Sequence, residues 1–496
     1  MLNRLLHISL ALALTVTPGI LYAQDKPVIP SRVVVELNIG QTTEISLANG
    51  ETVKLTLLGI EETRDDVRNI IHELKLRVKV DGEEVELVCG NYNLPVAVGK
   101  VKIDCPIAKN YLSNSMRDLW KISKDARFRL WPIDSPYLKE GTFGYPIKQR
   151  WMASFTHSGS EPSLTGWGVR FDWKKIYYHE GHDIGGADGL DEILAATDGR
   201  VVSIRNQTLD GFEDMPVGGR EDRLIIVDER NWLYLYSHLD STDPSIKPGD
   251  RVKQGQPLGL IGKKGGSGGI VHLHFGIFCK DEKTDEWVVE DAYPYLWEAY
   301  KNEYKPVLKA IARPLQILLA GQTARLDGSK SMGIDHPIVS YEWYFRDGSK
   351  AGGAVHSKRY ERVGAYSEVL KVTDSKGNID YDFATVFVYD REHPEETNIG
   401  FIHLAFHPTL DLKAGDEITF LARTFHTEAV KIAWDFGDGT SIVESITSGI
   451  TKKNHSSGAY EKVIHAYSKP GHYVVTVRSA GESGINSVSH LHVLID

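Results

Sequence analysis

The sequence predicts a mainly β, multidomain chain: a β-rich N-terminal domain, an antiparallel β-sheet domain and two C-terminal β-sandwiches. Three observations carry this. At 496 residues the chain exceeds one ordinary core, since a domain takes roughly 100–200 residues. Short runs alternating apolar and polar residues, punctuated by glycine turns, fill most of its length. Ser340-Tyr341-Glu342-Trp343-Tyr344-Phe345-Arg346-Asp347-Gly348 is echoed by Ile432-Ala433-Trp434-Asp435-Phe436-Gly437-Asp438-Gly439, a repeat of roughly 90 residues that suits a pair of sandwiches.

The first residues have the form of a secretory signal, with Arg4, an apolar Leu5–Val16 run and Leu21-Tyr22-Ala23 as a cleavage site. That run falls short of the roughly 20 residues a bilayer span needs. The expectation is a signal peptide over 1–23, export to a periplasm or the extracellular space, and no integral membrane segment after cleavage. A net charge of −10 with interspersed lysines and arginines argues against nucleic acid as a partner. Of three cysteines, Cys89 and Cys105 are expected to pair, closing a loop of about 15 residues worth roughly 3 kcal/mol. Cys279, in an apolar strand, is expected to be a buried, inert thiol.

In the 24–135 domain, Ala48-Asn49-Gly50 and Asp81-Gly82 mark hairpin turns, because these residues tolerate the positive φ such turns need. Arg64–Leu74 is expected to form a short helix between them. From Gly144 short strands follow one another: Ile193–Ala196, Gly199–Val202, Leu224–Val227 and Trp232–Tyr236. The polar insertion from Asn206 to Arg223 is long for a connection and belongs at the rim of a cleft. Asp291–Ala312 is the best helix candidate, interrupted by Pro306. The domain is placed at 136–304, with sandwiches at 305–392 and 398–496.

Three segments converge on metal chemistry: Tyr178-His179-Glu180-Gly181-His182-Asp183, Tyr236-Ser237-His238-Leu239 and Val271-His272-Leu273-His274-Phe275. Catalytic zinc takes three nitrogen or oxygen ligands and leaves a position open. Strand parity puts His179 and Asp183 on one side and Glu180 and His182 on the other. The same parity puts His272, His274 and Gly276 on a cleft face, leaves Leu273, Phe275, Ile277 and Cys279 in the core, and groups Tyr234, Tyr236 and His238. Three groups would serve the metal, with two imidazoles beside it, and the reaction implied is amide hydrolysis. Glycines 262, 265, 266 and 268 would let an extended substrate lie close. His182 is expected outside the ligand set. His490 and His492 repeat the His-x-His spelling without companions and are given no metal role. Asp435-Phe436-Gly437 is a turn.

These segments, with Gly249-Asp250-Arg251-Val252-Lys253-Gln254-Gly255-Gln256, resemble the lysostaphin/LytM-type zinc metallopeptidases over residues 145–298. The resemblance implies a β-rich fold with an open groove and one Zn²⁺ per chain, held by His179, Asp183 and His274. It implies His238 and His272 as catalytic residues and peptidoglycan peptides as substrate. The insertion at 206–223 and the Lys263-Lys264-Gly265-Gly266-Ser267-Gly268-Gly269 run depart from the family and bear on substrate preference. The last third resembles PKD domains, which implies Ig-like modules that would bind glycan or protein. The alternatives are a non-hydrolytic wall-binding or activating protein, or the same chemistry on extracellular glycine-rich proteins.

Overall fold

The computed structural model describes residues 31–90, 92–112, 115–158, 162–164, 176–450, 458–479 and 487–496. The expected signal segment lies outside them. The chain is mainly β, and among the described residues no helix is long and apolar enough to cross a membrane.

A nine-stranded antiparallel sheet dominates the middle of the molecule. Its main path runs Gln207–Thr208, Gly199–Ile204, Leu224–Val227, Leu233–Ser237, His272–Lys280, His182–Gly185 and His157–Ser158. Alternation decides what each face meets. Tyr234, Tyr236, Leu273, Phe275 and Ile277 enter a core shared with Tyr293, Leu296, Trp297 and Tyr300 of the Tyr293–Tyr304 helix. Leu233, Leu235 and Phe278 enter the opposite core, built largely from the N-terminal unit. That unit has two four-stranded sheets, so one of its faces is completed by the central sheet.

The helix is shorter than the periodicity predicted. It stops at Tyr304 because Lys305 turns left-handed (φ 44°) and Pro306 follows, and Leu308–Lys309 then pairs as a strand. The helix expected at Arg64–Leu74 is absent: Thr52–Arg64 and Ile71–Val80 form one long hairpin paired out to Arg64 and Ile71. Leu74, Leu76, Val78 and Val80 alternate into the core, and Asp65 closes the turn by accepting the Arg68 N–H, so period two wins over period 3.6. The Asp81-Gly82 turn has both residues at positive φ (47° and 95°), as the pair requires.

Cys89 and Cys105 are neighbours but not bonded. Their sulfurs lie 3.8 Å apart as buried thiols, against roughly 2.05 Å for a disulfide. Burial raises the Cys89 thiol pKa, which disfavours the thiolate that oxidation needs.

Each C-terminal unit packs two sheets around a buried tryptophan, Trp343 in one and Trp434 in the other. The second sandwich docks on the central unit. Phe155 N donates to Leu404 O at 3.0 Å, His407 Nδ1 lies 2.6 Å from Asp191 Oδ1, and Ala405, Leu421 and Tyr460 join the central core.

Candidate metal centre and cleft

The His182–Gly185 strand lies antiparallel to His272–Lys280 with Asp183 opposite His274. Directly opposed residues share a face, so register delivers the carboxylate to the imidazole. His179 arrives from the segment just before, where Gly181 (φ 139°) bends the chain. A Cβ at Gly181 would lie 2.7 Å from Phe275 O and 3.1 Å from the His274 ring, so only glycine allows this approach.

The three donors converge. His179 Nε2 lies 3.0 Å from His274 Nδ1, His274 Nδ1 lies 2.9 Å from Asp183 Oδ1, and His179 Nε2 lies 3.2 Å from the same oxygen. Ligands at 2.0–2.1 Å around a tetrahedral zinc are separated by about 3.3 Å, so the set fits that ion. The electrostatics agree. Burial opposes ionisation of Asp183, but the His179 and His272 imidazoles and hydrogen bonds from His179 and His274 hold its carboxyl well below the usual range. Burial pushes His274 down to about 4 despite Asp183. An ionised carboxylate beside a neutral imidazole is the protonation a divalent ion requires. Asp183 and His274 keep 17% of their side-chain surface exposed, so the triad opens on the cleft.

His238 and His272 stand beside it, their rings 4.6 Å apart. His272 Nε2 is 3.5 Å from Asp183 Oδ1, while its Nδ1 lies 3.1 Å from the Ile270 carbonyl. His238 Nδ1 lies 2.7 Å from the Lys264 carbonyl. A carbonyl only accepts, so the neutral rings carry their proton on Nδ1, at His238 because the carbonyl at 2.7 Å is closer than the Arg220 Nη2 donor at 3.3 Å, and Nε2 is left as the acceptor. Burial pushes His272 down to about 3, which keeps that nitrogen unprotonated at neutral pH.

Parity misplaced one residue here. Tyr236 does not share a face with His238: it is fully buried in the helix-side core, where its hydroxyl accepts the Ala196 N–H at 2.7 Å. His238 has φ 71°, a left-handed step that breaks the alternation after Ser237 and swings the ring towards His272. His182 is buried and stacks on Tyr293 at 5.4 Å, on the far side of the sheet from the triad. Glu180 is buried as well, with Arg117 Nη1 3.8 Å from its Oε2, and burial raises its pKa despite the nearby His179 and Arg117.

Sequence reasoning missed the polar surroundings of His238. Asp222 Oδ2 accepts the His238 main-chain N–H at 2.9 Å and is paired with Arg220. Arg220 Nη2 and Arg223 Nε both donate to Ser237 Oγ, at 3.1 and 3.0 Å. All three residues come from the long insertion, whose length was the only signal. A Cβ at Gly265 would lie 2.5 Å from Arg220 Nη2, so the room expected there for substrate is taken by a guanidinium. His490 and His492 join the two sandwiches: His490 Nδ1 lies 3.0 Å from Ser367 Oγ, and His492 Nδ1 lies 3.1 Å from Asp380 Oδ1.

Residues 177–286 match the profile of Peptidase family M23, and 304–388 and 404–493 match PKD-domain profiles. Over 91 residues the chain is 36% identical to the L-Ala--D-Glu endopeptidase of Bacillus subtilis (strain 168), covering 17% of this chain and 27% of that protein. Over 90 residues it is 30% identical to Collagenase ColA of Clostridium perfringens (strain 13 / Type A), covering 18% of this chain and 8% of that protein. The chain thus spans under a third of the length of these curated relatives. The crystal structure of the PKD1 domain from Vibrio cholerae metalloprotease PrtV is 31% identical, covering 17% of this chain and 95% of that one, with a TM-score of 0.14.

Proposed function

The chain carries a peptidase family M23 domain followed by two PKD domains, and from that premise we propose an exported zinc endopeptidase that hydrolyses peptide bonds in peptidoglycan cross-links or stem peptides. The observation that carries the reading is the pairing of a His-Asp-His triad with two imidazoles whose Nδ1 atoms lie against main-chain carbonyls. His179, Asp183 and His274 would hold the metal. When bound, zinc supplies Lewis-acid polarisation of a peptide carbonyl and acidifies water.

The other steps belong to the chain. A basic Nε2 on His238 or His272 accepts the proton of the attacking water, and the resulting imidazolium donates to the oxyanion or the leaving amine. The Lys264 and Ile270 carbonyls hold these rings in one tautomer, so no reorganisation is needed when the substrate arrives. The B. subtilis relative's name makes the L-Ala–D-Glu bond of stem peptides the candidate bond here. The units at 24–135, 136–304, 305–392 and 398–496 are the proposed domains, with the PKD pair binding wall glycan or protein. The placement is periplasmic or extracellular.

Mass spectrometry of muropeptides released from sacculi by wild type and by His238→Ala tests the reading. Wild type is expected to release peptides with new termini that the variant does not. Identical product profiles would sink the assigned catalysis.

A further inference from the structure

Arg223 is held on the cleft face of the sheet with no ion pair of its own among the described residues, the nearest carboxylate, Asp222, being paired with Arg220. Its Nε donates to Ser237 Oγ at 3.0 Å and its Nη1 to the Gly218 carbonyl at 2.9 Å. Nη2 makes no hydrogen bond among the described residues, and the half-buried side chain forms no ion pair with any of them. Ser237 lies directly opposite His274 and immediately precedes His238. The guanidinium is thus fixed at two points one side chain away from both the triad and the catalytic pair.

The local charge is unbalanced. Arg220 is neutralised by Asp222, and three further carboxylates of the insertion are turned elsewhere. Glu213 accepts the Gly211 N–H, Asp214 faces Lys280 and Glu221 faces Asn206. Arg117, exposed on the N-terminal unit, lies over the Tyr177 ring at 4.9 Å, and its Nη1 is 3.8 Å from Glu180 Oε2. Burial first, then the charge of Arg220 and less that of Arg117, push Arg223 down to about 10 against the opposing pull of Asp222. A guanidinium with cationic neighbours and an open edge is a receptor for an anion, and its fork matches a carboxylate.

We propose that Arg223, flanked by Arg117, is a carboxylate-binding subsite that selects stem peptides with a free carboxylate next to the scissile bond. This rests on the peptidase reading above. In an L-Ala–D-Glu bond whose D-Glu continues through its γ-carboxyl, the free α-carboxylate is one carbon from the scissile nitrogen. Catalysis at His238 therefore brings it to the edge that Ser237 anchors. Amidation of that carboxylate removes the charge and one acceptor, so an amidated stem is the disfavoured substrate.

The test uses two synthetic peptides, L-Ala-γ-D-Glu-L-Lys-D-Ala with the α-carboxylate free and its α-carboxamide. Their binding to EDTA-treated full-length protein is measured by calorimetry, and their cleavage is measured in parallel on zinc-loaded protein. Wild type is expected to bind the acid about tenfold tighter than the amide, as a charge-assisted hydrogen bond implies. Arg223→Gln should lose that preference, Arg223→Lys keep part of it, and Arg117→Gln reduce it less. Equal binding of acid and amide, no binding of either, or a preference surviving in R223Q overturns the subsite. Should R223Q fail to fold, the wild-type ratio and R117Q decide. Cleavage of both peptides at equal rates overturns the subsite and leaves the peptidase reading standing. A tenfold binding preference without cleavage of either peptide supports the subsite and counts against the peptidase reading.

Discussion

The Tyr460 hydroxyl, on the second sandwich, accepts the main-chain N–H of Val271 at 3.3 Å, one residue before His272. The same hydroxyl lies 3.1 Å from His403 Nδ1, whose Nε2 lies 2.5 Å from Thr156 Oγ1. His403 and Tyr460 are both buried, so the PKD unit and the segment leading into the His272–Lys280 strand share one water-excluded hydrogen-bond chain. Tyr460→Phe leaves the Val271 N–H unsatisfied at a cost of about 1–3 kcal/mol. It also frees the loop whose Ile270 carbonyl sets the His272 tautomer. Zinc content should stay unchanged while muropeptide release falls roughly tenfold, as small misplacements of reacting groups do. Metal analysis and turnover on the same sample check this, and a loss of zinc would point to general disorder instead.

Asp183 and His272 should separate metal from catalysis. Asp183→Ala removes the carboxylate that both ligand imidazoles share, and zinc should fall from one per chain to near none by plasma mass spectrometry. His272→Ala should retain zinc and lose about 10²–10⁴-fold in turnover, the usual contribution of general acid–base catalysis. Chelation of wild type should lower its melting temperature, since an ion bound by the folded chain stabilises it.

Much of this site was legible because a strand has a strict period. His272 and His274 face the cleft and Leu273, Phe275, Ile277 and Cys279 the core, as alternation requires. His238 escaped the same logic because one left-handed residue inverts every later position, and nothing in Tyr-Ser-His-Leu announces it. Arg220 and Arg223 escaped because they lie in an insertion with no periodicity, and their importance comes from contacts with Ser237 that only the fold creates. Arg64–Leu74 was misread because a turn and the start of a long strand together imitate a helical spacing. The N-terminal unit's dependence on the central sheet was also invisible, since apolar residues do not say which partner they meet.

The three cysteines give a direct check on the thiols. All are buried, burial raises Cys89, and burial pushes Cys279 up to about 11. A disulfide-exchange reagent at neutral pH should label none of them in the native protein, because the thiolate is the reacting form. In denaturant, three labels per chain match the reduced structure. One label would mean that Cys89 and Cys105 had oxidised.

Arg129 bolts the N-terminal unit to the peptidase sheet, and this contact should set the acid limit of the fold. It reaches Asp104 at 2.6 Å, Glu290 at 2.8 Å and Asp291 at 3.3 Å, and Arg32 adds a second cation 2.9 Å from Glu290. Three carboxylates thus face two guanidiniums, with the Tyr295 hydroxyl and the Cys279 thiol alongside. Burial opposes ionisation of Glu290, but Arg32, Arg129 and the Tyr295 hydroxyl hold it down at about 2. Burial prevails at Asp104, which is raised despite Arg129. Glu290 has a depressed folded pKa, so its contribution is complete above the ordinary value of 4.5 and is lost as pH falls towards about 2. That gap corresponds to about 3 kcal/mol. Asp104 acts in the opposite sense, taking up a proton more readily when folded and offsetting part of the loss. Stability should therefore be flat near neutrality and fall below pH of about 4.5. Arg129→Ala strands the buried carboxylates and should cost about 3–5 kcal/mol at neutral pH. Because protonation then relieves those carboxylates, the variant should lose less stability than wild type on acidification. Denaturant titrations of both proteins at pH 7 and pH 4 measure this, and a parallel fall in the two would show that Arg129 does not hold Glu290 ionised.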